Sequence, residues 1–181
     1  MRARLFRWLL HRWERHTPEI VRRIQLQILM NVTAKAFQAP PKRLWTRTWR
    51  KGLREYAEYT LDCSRRMDAD SERLYALSYA LGDKLRRATG FTEASDLRRL
   101  VFWLYRGIGI AMSGELPGEI AVSNCFFSEY YVPPVCALMS NMDSGIVGGV
   151  MGGCRLVFSQ RITEGKLCCR ARAQGVEDDH E

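Results

Sequence analysis

The sequence predicts an α+β fold in which N-terminal helices precede a small antiparallel sheet of hairpins, covered by one amphipathic helix. Three observations carry this. Up to about residue 106, apolar side chains recur with the helical period, broken only by cap and proline signals. Beyond Ile108 short apolar runs alternate with Gly- and Pro-containing turns, as strands do. Between the two strand pairs, Pro133-Pro134 opens one further helical stretch.

Residues 2–16 read as a short basic helix with Leu5, Phe6, Trp8, Leu9, Leu10 and Trp13 on one broad side. Thr17-Pro18-Glu19 is a start signal for a second helix, with Val21, Ile24, Ile28 and Val32 in one stripe, ending before Pro40-Pro41. After Trp45 and Trp49 a third buries Leu53, Tyr56, Ala57, Thr60 and Cys63. Ser71 is expected to cap the next, which carries Leu74, Leu77, Leu81 and Leu85 and stops at Gly90; Ser95 is expected to cap one carrying Leu97, Leu100, Val101 and Leu104. Ile108–Met112 and Glu119–Phe127 then flank Glu115-Leu116-Pro117-Gly118, where Pro-Gly suits a type II turn. A helix runs from Pro134 to about Val150, its late glycines permitting close packing. Leu156–Ile162 and Leu167–Ala173 form a hairpin around Glu164-Gly165, pairing Ile162 with Leu167, Gln160 with Cys169 and Phe158 with Ala171.

These elements divide into a basic helical extension (1–41), one α+β domain (42–173) and a disordered acidic tail (174–181). At 181 residues and 46% hydrophobic the chain is long and apolar enough for one real core. Its charge is uneven. Residues 1–60 hold 14 Lys/Arg against 4 Asp/Glu, whereas the remainder holds 14 against 16. A polyanionic partner could therefore act only on the N-terminal third. The arm is expected to dock on its own domain or on a second copy of the chain as a homo-oligomer. Peripheral contact with anionic lipid ranks below that, and no nucleic-acid signature accompanies the arginines.

Arg7 interrupts the apolar stretch Leu5–Leu10, so no export signal is read there, and the expected location is cytoplasmic. The six cysteines are accordingly expected to be free thiols. Histidine placement excludes more than cysteine number does. His11 and His16 fall in the basic arm and His180 in the tail, so no Cys–His or Ser–His pair is expected inside the body. No Cys-x-x-Cys spacing marks a metal site, and no cofactor is identified.

The candidate chemistry lies on the helix after Pro134. Cys136, Ser140 and Asp143 stand at i, i+4 and i+7, one polar seam beside the apolar side formed by Val135, Leu138, Met139, Met142 and Ile146. Such a seam serves either as a packed thiol, a tolerated hydroxyl and a solvated acid, or as the wall of a small-molecule pocket. Without histidine, Asp143 is the available general acid/base and Cys136 the candidate nucleophile or ligand contact. Cys125, Ser140, Gln160 and Cys169 are the candidate substrate-binding residues.

The segment CFFSEYYVPPVCALMSNMDSGIVGGVMGGCRLVFSQRITEGKLCC resembles bacterial proteins of the L-2-amino-thiazoline-4-carboxylic acid hydrolase family. The resemblance rests on Cys125 before an aromatic strand end, Cys136 opening the helix and Asp143 later in it. The glycine-rich stretch and Thr163-Glu164-Gly165 leading to Cys169 complete it. With Glu55–Thr60 and the leucine-patterned helices it covers about residues 50–173. It implies hydrolysis at a cyclic C=N or amidine-like carbon. The element order is also similar to 4-vinyl reductase type domains, which implies a ligand-binding or sensor module instead. The basic arm and the doublet Cys168-Cys169 fall outside the family pattern.

Overall fold

Helices α4 (Ser71–Thr89) and α6 (Pro133–Met151) lie so close that their backbones touch, and glycine is the cause. A Cβ added at Gly145 would stand 2.5 Å from the Tyr75 carbonyl oxygen, one at Gly149 2.2 Å from that of Tyr79, and one at Gly82 2.3 Å from that of Ile146. On its other side α6 meets strand β3 (Cys154–Gln160) as tightly: a Cβ at Gly148 would lie 2.3 Å from the Cys154 carbonyl oxygen. The Leu156 amide donates to Ser144 Oγ at 2.9 Å across the same contact. α6 thus lies between a helix and the sheet, and it is the element that carries Asp143.

The computed structural model describes residues 2–44, 48–66 and 70–175. Among them are four further helices: α1 (Arg2–Arg15), α2 (Glu19–Ala36), α3 (Trp49–Arg66) and α5 (Ala94–Gly107). The sheet adds β1 (Ile110–Gly114), β2 (Glu119–Cys125) and β4 (Cys169–Gly175), in the order β1-β2-β4-β3 with every pair antiparallel. The fold is α+β. Ile120, Val122, Cys154, Leu156, Cys169 and Ala171 alternate onto the buried face, while Arg155, Arg170 and Arg172 alternate outward. No helix among the described residues is long and apolar enough to cross a membrane.

Residues 1–41, expected as an extension, feed the same core as the rest: Leu10, Leu26, Met30 and Ala34 join Leu53, Leu74, Val101 and Val147 in one buried cluster. α1 docks on α5. Trp13 stacks on Trp103 with ring centroids 5.6 Å apart, Arg99 pairs with Glu14 at 2.9 Å, and Arg7 Nε donates to both Asp96 oxygens at 3.0 and 3.1 Å. Leu5 and Trp8, expected on the apolar side with these, remain 57% and 62% exposed, because the docked face is Phe6, Leu10 and Trp13.

Several local expectations are corrected. On α2 the buried side is Leu26, Leu29, Met30 and Thr33, whereas Ile24 and Ile28 stay 39% and 37% exposed. Thr17 does not cap α2; its hydroxyl donates to the Trp13 carbonyl and accepts from Trp103 Nε1. Asp70 rather than Ser71 caps α4, accepting from the Arg73 amide at 2.9 Å, and Ser95 lies inside α5 rather than at its cap. The Leu116–Pro117 peptide is cis, so the β1–β2 turn is not type II. The last hairpin lacks the expected two-residue loop. Phe158 does face Ala171, but Gln160 aligns with Arg170 after an irregularity, Ile162–Glu164 make a 3₁₀ turn, and Leu167 is 98% exposed. Trp45 and residues 176–181 of the expected tail lie outside the described residues.

Candidate active site

Four elements converge on the polar side of α6. Strand β2 ends at Cys125 and passes into a 3₁₀ turn, Phe126–Glu129, that leads through Tyr131 into α6 itself. Pro133-Pro134 set the first turn, which brings Cys136 close behind that turn, with Asp143 two helical turns further on. α3 supplies Tyr56 and Thr60, and α5 supplies Tyr105.

Together they border a cavity of about 60 Å³ lined by Cys125, Cys136, Asp143, Tyr56, Tyr131 and Ser128, with Leu29, Ile108, Ile110, Phe127, Met139 and Met142. Among the described residues Asp143 is its only charged group. The tyrosines are held by buried bonds: Tyr56 Oη to Thr33 Oγ1 at 2.8 Å and Tyr131 Oη to Thr60 Oγ1 at 2.5 Å. Their rings stack with or edge onto Phe127. The site is thus rigid on the α3 side.

Loss of hydration pushes the Asp143 carboxyl up to about 6. The Tyr105 hydroxyl, which donates to the Asp143 backbone carbonyl at 3.4 Å, and the Arg161 guanidinium pull in the opposite direction without cancelling that rise. Burial pushes the Cys125 thiol up to about 12, with the Phe127 backbone amide opposing it. Burial also raises Cys136 and Cys169; the Thr163 hydroxyl opposes the shift at Cys136 and the Ile162 amide at Cys169. The thiols in and beside the cavity are therefore neutral near pH 7, while Asp143 is poised between its two forms.

Cys125, Cys136 and Asp143 thus share one cavity. Ser140 and Cys169 belong to an adjoining patch at the end of β3. There Ser140 Oγ donates to its own helix at the Cys136 carbonyl (2.8 Å) and accepts from Arg161 Nε (3.4 Å), and Cys169 Sγ accepts from the Ile162 amide (3.4 Å). Cys136 borders both, since its own carbonyl accepts from Ser140 of that patch. Gln160 is not part of either: its amide donates to the Cys168 carbonyl at 2.9 Å along the hairpin.

Sequence reasoning missed Tyr56 as a site residue, along with Tyr105 and Arg161. Tyr56 carries the periodicity of a core residue, and only its hydroxyl distinguishes it. Arg161 had a readable signal, a lone cation after an apolar strand and three residues before Glu164, with which it pairs at 3.3 Å. Glu129, Tyr130 and Tyr131, which from sequence read either as aromatic packing at a strand end or as a polar rim for ligand contact, part ways: Tyr131 is buried, Tyr130 stacks on Phe126 and Glu129 is exposed. Among the described residues no group of three or more His, Cys, Asp or Glu side chains is placed to hold a metal ion. None of the six cysteines forms a disulfide. Compared with known protein families, curated proteins and solved structures, the chain matches none.

Proposed function

We propose that the protein is a small-molecule hydrolase acting on a cyclic C=N or amidine-like carbon, with Asp143 as general acid and base. One observation carries the reading: a carboxyl that faces a mainly apolar cavity, pairs with no cation among the described residues and has its pKa raised to about 6. A group so poised accepts and returns a proton at neutral pH. A solvated or salt-bridged aspartate does not return one.

The reaction follows from that capacity. Asp143 carboxylate takes a proton from water as the water oxygen bonds to the C=N carbon and the π electrons move to nitrogen. The protonated carboxyl then gives its proton to that nitrogen, leaving a neutral tetrahedral adduct. In the second half Asp143 removes the adduct's hydroxyl proton, the C–N bond breaks as C=O forms, and the departing nitrogen recovers the proton. Because burial keeps Cys125 and Cys136 protonated, water is the nucleophile and the thiols are contacts. Tyr105 positions the carboxyl.

The same protonated thiols favour a second reading, a non-catalytic small-molecule-binding domain of the 4-vinyl reductase type. Hydrolysis of 2-amino-thiazoline-4-carboxylate across pH 5–9 separates the two. The enzyme reading expects turnover with a limb near pH 6 and a loss of about 10²-fold or more in Asp143→Asn. Saturable binding without turnover by folded wild-type protein, unchanged in Asp143→Asn, would leave the binding domain.

A further inference from the structure

A second cavity, of about 210 Å³, lies between α2, α4 and α5. Ile24 and Ile28, Leu81 and Leu85, and Trp103 and Leu104 line it. Leu29 and Ile108 separate it from the Asp143 cavity, since both spaces touch these two side chains. Ile24 and Ile28 are more than one-third exposed and form its rim, which opens it to the surface.

One amide belongs to this wall. Both polar atoms of the Gln25 side chain are buried, and neither has a hydrogen-bond partner among the described residues. The amide lies over Gly107, where a Cβ would stand 2.0 Å from Gln25 Oε1. None of this serves the fold. A desolvated, unbonded donor and acceptor cost stability, an apolar side chain of the same length would fill the place without that cost, and a glycine at a helix end is needed only to admit the amide. A void, an orphan amide and a space cleared for it are together complementary to a molecule that fills the first and bonds the second.

We propose that this chamber binds a small, mainly apolar molecule carrying one group that both donates and accepts a hydrogen bond: a carboxamide, a lactam or a protonated carboxyl. The head group pairs with Gln25, turned into the chamber, and the apolar body lies against Leu81, Leu85 and Leu104. The inference does not rest on the chemistry assigned to Asp143.

Calorimetric titration of the full chain with 4-propylbenzamide and with butylbenzene tests it, alongside Gln25→Met and Leu85→Trp. The wild type is expected to bind both compounds saturably at one site. In Gln25→Met, which keeps the side-chain length and should melt at a higher temperature, the ratio of amide to hydrocarbon affinity is expected to fall about tenfold, as two hydrogen bonds are lost. Leu85→Trp fills the chamber and should abolish binding of both. Ile28→Trp, at the rim, replaces it should Leu85→Trp fail to fold. An affinity ratio unchanged by Gln25→Met, or no saturable binding of either compound by the wild type, overturns the proposal.

Discussion

The hydroxyl of Tyr105 donates to the backbone carbonyl oxygen of Asp143 at 3.4 Å and favours the charged form of the same residue's carboxyl. A bond donated to a carboxylate favours the charged form, so removing the donor has a definite sign. In Tyr105→Phe the Asp143 titration should move above its value of about 6. Carbon-detected NMR of the carboxyl reads it directly, and an unmoved midpoint would show that the phenol holds only the backbone.

Asp143 also makes stability depend on pH. Its folded pKa of about 6 is above the ordinary 3.8, so the folded state holds the proton more tightly than the unfolded chain does. That contribution is complete below about pH 4 and is lost as pH rises through about 6. Relative to Asp143→Asn, the wild type should therefore lose roughly 2–3 kcal/mol between pH 4 and pH 7.5. Urea unfolding of both proteins at the two pH values measures the difference.

The glycine contacts of α6 predict steric loss without any change of polarity. Gly149→Ala pushes a methyl to 2.2 Å from the Tyr79 carbonyl oxygen and 2.6 Å from the Asp83 amide nitrogen, and a backbone cannot turn aside as a side chain can. About 3 kcal/mol or more of destabilisation is expected, at the upper end of overpacking costs. Gly52→Ala is the control, because the methyl there meets only Leu26 Cδ2, at 2.9 Å, the flexible end of a side chain. Equal melting temperatures for the two variants would mean that α6 shifts freely on α4.

Thiol chemistry gives an independent check of the cavity. Burial raises Cys125, Cys136 and Cys169 above the usual thiol range, so few thiolates form at these sites at pH 8. Timed alkylation with mass spectrometry should show these three reacting far more slowly in the folded chain than in urea. Rapid labelling of Cys125 under native conditions would place it in open water.

The arm gives the fifth outcome. From sequence the fold is expected to survive deletion of residues 1–16, since the later elements carry their own apolar faces and caps. The Trp13–Trp103 stack and the bonds from Arg7 to Asp96 make the arm part of the core instead. Trp13→Ala should cost about 2–3 kcal/mol, somewhat less than a fully buried tryptophan, read from thermal melting.

How much of this was legible in the sequence follows from what periodicity reports. It counts helices and strands well, because one apolar face suffices to mark each, and the order of helices, hairpin, helix and hairpin was readable. It fails on α2, which is apolar on two sides. Leu26, Leu29 and Met30 face the core, but Ile24 and Ile28 repeat just as regularly and face the chamber rim. The i, i+4, i+7 spacing put Asp143 near Cys136, yet it also enrolled Ser140, which turned toward Arg161. Gln160 was assigned from a hairpin register that the turn at Ile162–Glu164 alters. Tyr105 and Tyr56 were unreadable as site residues because their contribution depends on helices meeting across the core.

The backbone contacts of α6 have a consequence for how the molecule accommodates different solutes. A helix wedged against Tyr75 and Tyr79 on one side and Cys154 on the other cannot slide or roll, so the Asp143 carboxyl sits on a fixed floor. The opposite wall, formed by Leu29 and Ile108, is made of aliphatic side chains with rotamers to spare. Variation among homologous chains in what they accept is therefore expected at positions 29 and 108, while the glycines stay as they are.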